Sequence, residues 1–161
     1  DVDQIGLSIA PENARELATQ GVRLKGLINQ QVKVSHPLFK ALDEVAYVMF
    51  RHRVDRLTYQ TCTTLPPGRV DRSPCGTGSS ANLAALHARG LAKVGDVFKS
   101  RSIIGSEFHC RIDSLTEVAG RAAIYPCISG RAWITGTHQL LLDPSDPWPQ
   151  GYRLSDTWPG A

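Results

Sequence analysis

The chain has 161 residues, of which 42% are hydrophobic and 20% charged, an ordinary composition for a soluble globular protein with room for a core. Its net charge of +3 comes from scattered basic residues, which disfavours a nucleic-acid partner, and no apolar run reaches the roughly 18 residues of a membrane span. Because the sequence begins with Asp1 instead of Met, we expect that further residues precede it in the natural protein.

The first predicted element is an amphipathic helix from Ala10 to Gln31. Pro11 suits its first position, where the missing N–H costs nothing. The face expected to be buried recurs at helical spacing and consists of Ala14, Leu17, Gly21, Leu24 and Ile28. Two short segments rich in β-branched and aromatic residues, Glu44–Phe50 and Leu57–Thr64, are predicted to be strands.

A second helix is predicted from about Gly78 to Arg89, and Gly90 suits its C-terminus. Its residues are apolar nearly all round, which is typical of a helix buried in the centre of a fold. The strands predicted after it are 96–104, 106–113, 116–127 and 129–142, followed by a proline-rich tail, residues 143–161. The sequence therefore predicts an α+β fold, in which a largely antiparallel sheet is wrapped around one central apolar helix.

The four cysteines, Cys62, Cys75, Cys110 and Cys127, are irregularly spaced and form no C-x-x-C pair. This spacing gives no support for a zinc site or a disulfide framework, and the histidines show no ligand spacing, so we expect no metal. Because no export signal is visible, we expect free thiols in a reducing cytoplasm. Three of the cysteines, Cys62, Cys110 and Cys127, lie in strand patterns and are interpreted as packing residues.

Cys75 lies in a different setting, the stretch DRSPCGTGSS. It follows a proline at the predicted start of the second helix, where backbone N–H groups lack intrahelical partners. Such a helix start favours an anion, and Gly76 and Thr77 allow a carboxylate to approach the backbone closely. It also favours a thiolate, which makes Cys75 the candidate acid/base group for the carbon beside that carboxylate.

Asp71, four residues before the cysteine, is placed to hold a cationic amine. Together with the thiol and the backbone N–H groups, it predicts a site for an α-amino or imino acid. No lysine lies near to form a Schiff base, so we expect no cofactor. Simpler interpretations stay open, with Cys75 inert in a tight turn and Asp71 a turn or capping residue.

Two other classes of function also stay open on the residues alone. A cysteine hydrolase would use the same helix start as an oxyanion hole, but it needs a histidine base that the sequence does not identify. A non-catalytic anion-binding domain would bind its ligand without depending on the thiol.

Three segments, DRSPCGTGSSANLAALHARG, SRSIIGSEF and ISGRAWITGTHQLLLDPSDPW, resemble the proline racemase family in order and spacing. The resemblance runs from about Ala10 to the C-terminus. It implies a fold of the diaminopimelate epimerase type, with two similar domains and the substrate between them. It also implies that Cys75 is the acid/base residue of the second domain, that Asp71 contacts the substrate nitrogen, and that Gly76 and Thr77 bind the carboxylate.

The same resemblance implies that half of the molecule is missing. Family members carry another acid/base residue in a C-G-H or S-G-H motif of their first half, and this sequence contains no such motif. We therefore expect residues 1–142 to be the second domain, the absent first domain to be its partner, and this chain alone to be inactive. A homodimer is an open alternative for further assembly, and neither nucleic acid nor membrane is expected as a partner.

The activity implied by the resemblance is that of a cofactor-independent racemase or epimerase, which acts on hydroxyproline or proline by thiol proton transfer at Cα. Leu65 stands where the proline-specific racemase carries a bulky aromatic residue, and the smaller side chain favours a hydroxylated ring. The alternative is a trans-3-hydroxy-L-proline dehydratase. Dehydratases with threonine at the second acid/base position are disfavoured, because Cys75 occupies that position.

Overall fold

The computed structural model describes residues 1–152 and residue 154. Within them, 3-10 turns at Val2–Ile5 and Pro11–Asn13 precede helix α1 (Ala14–Gln31), and helix α2 spans Gly76–Ala88. The strands are β1 (Val48–Arg53), β2 (Thr58–Leu65), β3 (Arg69–Val70), β4 (Val97–Arg101), β5 (Glu107–Val118) and β6 (Arg121–Gly130). All of these strands belong to one sheet.

The strand order in the sheet is β1-β2-β4-β5-β6, with the short β3 paired to β2 beside this path. β2 and β4 are parallel, and the other described pairs are antiparallel. β5 and β6 form a hairpin whose turn, Ala119–Gly120, has positive φ values of 50° and 74°, as the preferred two-residue hairpin turn requires. The predicted α+β fold with a largely antiparallel sheet is confirmed.

Apolar side chains pack on both faces of β2, because successive residues of a strand point to opposite sides. Tyr59 belongs to a cluster that contains Leu83 and Leu86 of α2. Cys62, three residues later, belongs to a second cluster with Leu17 of α1. The two helices therefore cover opposite faces of the sheet.

α2 begins two residues earlier than predicted, at Gly76, so that Cys75 is its N-terminal capping residue. The complete burial expected for this helix is not found. Leu83 and Leu86 are each 1% exposed, but the opposite face is open. That exposed face carries Ala81, Ala84 and Ala88. Alanine suits both settings because it is small and has the highest helix propensity, so an alanine-rich pattern does not by itself indicate burial.

The strands after α2 differ in length from the predicted ones. The prediction of one strand over 116–127 is wrong, because the chain reverses at Ala119–Gly120, where glycine supplies the positive φ that the turn needs. A register shift between Ile112 and Ser114 interrupts the side-chain alternation of β5 next to the predicted boundary at residue 113, but the strand continues to Val118.

The predicted strand 129–142 is wrong beyond Gly130. Residues 131–152 and 154 form neither helix nor strand, and no described strand pairs with them. A β-strand needs hydrogen bonds from a neighbouring strand, which apolar alternation alone does not supply. Of the predicted tail, 143–161, residues 153 and 155–161 lie outside the described residues.

Residues 1–131 form one compact unit, and the chain from Ala132 forms a second. In the second unit, Ile134 and Leu140 are 94% and 93% exposed, and the rings of Trp148 and Tyr152 meet edge to face with centroids 6.2 Å apart. None of the described helices has the length and apolar character needed to cross a bilayer. The division into a second domain, 1–142, and a tail stays a prediction.

Candidate active site

Cys75 has an unusual backbone conformation, with φ +62° and ψ 107°. A residue other than glycine seldom adopts positive φ, because its Cβ atom crowds the neighbouring carbonyl oxygen. The Cys75 N–H donates to the Ser73 hydroxyl at 3.0 Å, and the thiol sulfur accepts from the Gly78 N–H at 3.4 Å. These hydrogen bonds hold a strained residue in place, and strain of this kind is concentrated at functional sites.

Buried hydroxyl groups support the turn that carries Cys75. The Ser79 hydroxyl donates to the Pro74 carbonyl at 3.1 Å and lies 3.2 Å from the Ser100 hydroxyl, within hydrogen-bond distance. The hydroxyl groups of Thr61 and Ser100 lie 3.0 Å apart. Because Thr61 is in β2 and Ser100 in β4, this network fixes the start of α2 relative to the centre of the sheet.

Asp71 lies at the beginning of the same turn. Its backbone N–H donates to the Thr63 carbonyl at 2.8 Å, and its carboxylate Oδ1 accepts from the Ser73 N–H at 2.8 Å. Asp71 is therefore a turn residue, as the simpler interpretation proposed. This geometry also holds the carboxylate, which is half-buried, in a fixed place one turn away from the thiol.

Gly76 and Thr77 are the first residues of α2, so helix geometry leaves their N–H groups without intrahelical partners. Thr77 is exposed and Gly76 half-buried. A Cβ atom built at Gly76 would meet nothing within 4 Å. The space above the helix start is therefore open, and the positive end of the helix dipole favours an anion there.

Tyr47 is a neighbour of the site that sequence reasoning missed. It directly precedes β1, and its side chain is half-buried. Burial raises the pKa of its phenol, a hydrogen bond with the Thr77 side chain lowers that pKa, and the nearby Cys75 thiol raises it. The signal in the sequence is a continuous apolar run around Tyr47, residues 45–50, which is equally typical of an ordinary buried strand.

β1 faces the first turns of α2. Tyr47, Met49 and Arg51 line one side of a cavity of about 280 Å³, and Gly78 and Asn82 line the other. A Cβ atom at Gly78 would clash with the end of the Met49 side chain, so glycine allows this close approach. The guanidinium of Arg51 donates to the Asn82 side-chain oxygen.

The other cysteines lie in different environments. Cys62 and Cys110 are buried, which confirms their packing role, and burial raises the pKa of both thiols, that of Cys62 to about 11. The packing prediction is wrong for Cys127, whose side chain is exposed on β6. β6 has a strand neighbour on one side among the described residues, and alternation in such a strand does not ensure burial. All four thiols are free.

Leu65 lies at the end of β2, where it lines a second cavity of about 350 Å³. Tyr47 contributes to the wall of the same cavity, as do Lys25 and Asn29 of α1. Tyr47 therefore separates this cavity from the one beside the start of α2. The influence of Leu65 on the size of the substrate stays a prediction.

The geometry brings the four residues named from the sequence, Asp71, Cys75, Gly76 and Thr77, into one turn and one helix start. A carboxylate placed on the open N–H groups would lie beside the Cys75 thiol and the Tyr47 phenol. The Asp71 carboxylate supplies negative charge on the preceding turn. The arrangement suits proton transfer to or from a small molecule that carries a carboxylate.

Comparison with known proteins gives consistent matches. The sequence model described as proline racemase matches residues 1–153. A curated 4-hydroxyproline 2-epimerase from Rhizobium etli is 58% identical over 98% of this chain, and one from Allorhizobium ampelinum is 56% identical over 100% of it. The chain spans 46% of the length of each of these relatives.

A solved structure shows the same likeness. The hydroxyproline epimerase from Agrobacterium vitis, crystallised with bound trans-4-OH-L-proline, is similar with a TM-score of 0.81 and 56% sequence identity. The match covers 98% of this chain and 46% of the solved one.

Proposed function

Because the chain belongs to the proline racemase family, we propose that the whole protein is an isomerase that inverts Cα of 4-hydroxyproline. The names of the curated relatives and the ligand in the similar solved structure support hydroxyproline over proline. The observation that carries the proposal is the Cys75 thiol, held in a strained backbone at an open helix start.

In the proposed reaction, the Cys75 thiolate removes the Cα proton, so that the C–H bond breaks, an S–H bond forms, and the electron pair moves toward the carboxylate. The N–H groups of Gly76 and Thr77 stabilise the charge that develops on the carboxylate oxygens. Asp71 holds the ring ammonium. In the opposite direction the Cys75 thiol donates the proton, and no oxidant or reductant is needed in either direction.

Inversion also requires a second acid/base group on the opposite face of Cα. Cys62 and Cys110 are buried, so neither is available for this role. We expect the second group to come from the part of the protein that the relatives contain and this chain does not span. The whole protein would then bind its substrate between two helix starts, with residues 1–142 as the second domain.

The proposal is tested on the full-length protein in D2O, with trans-4-hydroxy-L-proline, L-proline and trans-3-hydroxy-L-proline as separate substrates. We expect deuterium incorporation at Cα and formation of the other epimer with 4-hydroxyproline, followed by NMR and polarimetry. Loss of water from trans-3-hydroxy-L-proline as the main reaction would show a dehydratase instead. No reaction with any of the three substrates would contradict the proposed function.

The 161-residue chain alone should bind weakly and turn over none of these substrates, since it provides one side of the site. Inversion by this chain alone would show that it contains a second acid/base group. Cofactor independence, a cytoplasmic location and a homodimer stay predictions. For cofactor independence, we expect the whole protein to keep full activity after dialysis against EDTA.

A further inference from the structure

The segment that carries Tyr47 is irregular. Residues 32–47 form neither helix nor strand between the end of α1 and the start of β1. A segment without backbone pairing depends on side-chain contacts for its position. Tyr47 is therefore positioned from two sides: by β1, which begins at the next residue, and by whatever holds the last residues of this segment.

α1 holds these last residues at two successive positions. The Asn29 side chain donates to the Val45 carbonyl at 3.1 Å and accepts from the Val45 N–H at 2.8 Å. One residue earlier, the Lys25 ammonium lies 3.1 Å from the Glu44 carboxylate. The Glu44 side chain of the ion pair is exposed, and exposed ion pairs contribute little to stability. The two Asn29 hydrogen bonds are partly buried, so they are the stronger restraint on the segment.

Asn29 is itself held in place by the packing of α1. Gly21, Lys25 and Asn29 are spaced four residues apart and therefore lie along one side of the helix. A Cβ atom at Gly21 would overlap the side chain of Thr64, so glycine lets α1 lie directly against β2. The Thr64 hydroxyl in turn donates to the Val48 carbonyl at 3.1 Å, so the point where α1 contacts β2 is also hydrogen-bonded to β1.

A carboxamide is suited to this contact because it offers a donor and an acceptor together. Asn29 uses both on the N–H and the C=O of a single residue, as a neighbouring strand would. Tyr47 follows only two residues later, and consecutive Cα atoms are about 3.8 Å apart, so a shift of Val45 moves Tyr47. The cavity of about 350 Å³ between α1 and β2 is lined by both Asn29 and Tyr47.

We propose that Asn29 is a positioning residue for the proposed reaction: by holding Val45 it places Tyr47 in the wall of the cavity that Tyr47 shares with Gly78 at the start of α2. The proposal rests on the proposed function, because it assigns Tyr47 a part in that site. α1, which contributes no residue to the helix start of α2, thereby controls the geometry there through one side chain.

The test is a double-mutant cycle in the full-length protein with Asn29→Ala, Tyr47→Phe and the combined variant. Each single change should lower kcat/KM for hydroxyproline by about tenfold to a hundredfold, because a small displacement near the reacting atoms has effects of this size. The combined variant should be no slower than Tyr47→Phe. Asn29→Asp, which keeps the acceptor for the Val45 N–H, should restore part of the activity. Gln30→Ala removes an exposed carboxamide from the same helix and serves as the matched control.

A purely structural role predicts a different result. Asn29→Ala would then lower the thermal unfolding temperature, and its effect on kcat/KM would be the same in the parent and in the Tyr47→Phe background. That result, or an unchanged kcat/KM in Asn29→Ala, would overturn the proposal. If Asn29→Ala does not fold, the same cycle is measured with Asn29→Asp.

A second measurement separates this proposal from the proposed function. Alkylation of Cys75 by iodoacetamide can be measured without substrate. Its rate should change in the same direction in Asn29→Ala and in Tyr47→Phe, and the change in the combined variant should be no larger than in Tyr47→Phe alone. Such coupling in a protein that turns over no hydroxyproline would contradict the proposed function and support the role of Asn29. Alkylation rates equal to the parent rate in both single variants would overturn the role of Asn29.

Discussion

Cys62 lies in the middle of β2 with no exposed surface, whereas Cys75 lies at the start of α2 and is half-buried. The extended strand gives Cys62 an apolar cluster as its surroundings, and burial there raises its pKa to about 11. Cys75 instead has a left-handed backbone and accepts a hydrogen bond from the Gly78 N–H. The same side chain is thus inert in one region and available for chemistry in the other because of its backbone and its neighbours.

Asp71 connects these two regions. Its negative charge is the second cause of the raised pKa of Cys62, after burial. The same carboxylate accepts the Ser73 N–H, and the Ser73 hydroxyl accepts the Cys75 N–H. One aspartate therefore adds to the effect of burial on the pKa of the Cys62 thiol and shapes the turn that presents the Cys75 thiol.

The largest difference between the two regions should appear in catalysis. Cys75→Ala in the full-length protein should lower kcat for epimerisation by about a hundredfold to ten-thousandfold, the contribution of a positioned acid/base group. Cys62→Ala removes a buried side chain and should lower the unfolding temperature while kcat stays close to the parent value. Comparable losses of kcat in both variants would remove the distinction between the two thiols.

The second difference should appear in alkylation of the substrate-free protein. Raising the pKa of a thiol from 9 to about 11 leaves about a hundredfold less thiolate near neutral pH, and burial also blocks the reagent. In a Cys127→Ser variant, which removes the exposed thiol of β6, iodoacetamide should therefore label Cys75 well before Cys62 or Cys110. Peptide mapping by mass spectrometry measures the order. Earlier labelling of Cys62 would show that its strand opens more readily than its burial indicates.

A third prediction separates the two roles of Asp71. Asp71→Asn keeps an oxygen for the Ser73 N–H but removes the negative charge. Binding of hydroxyproline, whose ring nitrogen is cationic, should weaken by about tenfold to a hundredfold, the range of a charged hydrogen bond. Binding of pyrrole-2-carboxylate, whose nitrogen carries no charge, should change little. Calorimetry with both ligands measures the difference, and equal losses would restrict Asp71 to its role in the turn.

The smallest expected effect concerns the backbone of Cys75. Cys75→Gly and Cys75→Ala both remove the thiol, but only glycine accepts φ +62° without a steric penalty. The glycine variant should therefore be more stable than the alanine variant by about 1 kcal/mol, an order that the N-cap position also favours and that is the reverse of the order inside a helix. Urea unfolding of both variants measures this, and a more stable alanine variant would show that residue 75 relaxes out of the left-handed region.

Sequence reasoning predicted the part of the candidate site that is contiguous in the chain. Asp71, Cys75, Gly76 and Thr77 lie in one short stretch, where proline, glycine and a following apolar helix are local signals. Tyr47 was missed because it comes near α2 only through the packing of β1 beside that helix, and its apolar neighbourhood was interpreted as part of a strand, Glu44–Phe50, whereas β1 begins at Val48.

For the fold, too, features with a local sequence signal were predicted and those that depend on distant contacts were missed. The order of helices and strands up to β5 was predicted except for the two-residue strand β3, which is too short to show a periodicity. The strand boundary was predicted at residues 113–116, where β5 has a bulge, whereas the chain reverses at Ala119–Gly120. The apolar residues after Gly130 have strand-like composition, but strand formation depends on a partner that local sequence does not specify.

The hydrogen bond from the Gly78 N–H to the Cys75 sulfur links a backbone amide to the protonation of the thiol. A thiolate is a stronger acceptor than a thiol, so each gain or loss of the proton changes the bond that closes the first turn of α2. The Gly78 amide is in effect an intrinsic spectroscopic reporter: its chemical shift and its exchange with solvent follow the state of Cys75. Alkylation of the thiol, which weakens the sulfur as an acceptor, can thus be followed by NMR at a single glycine.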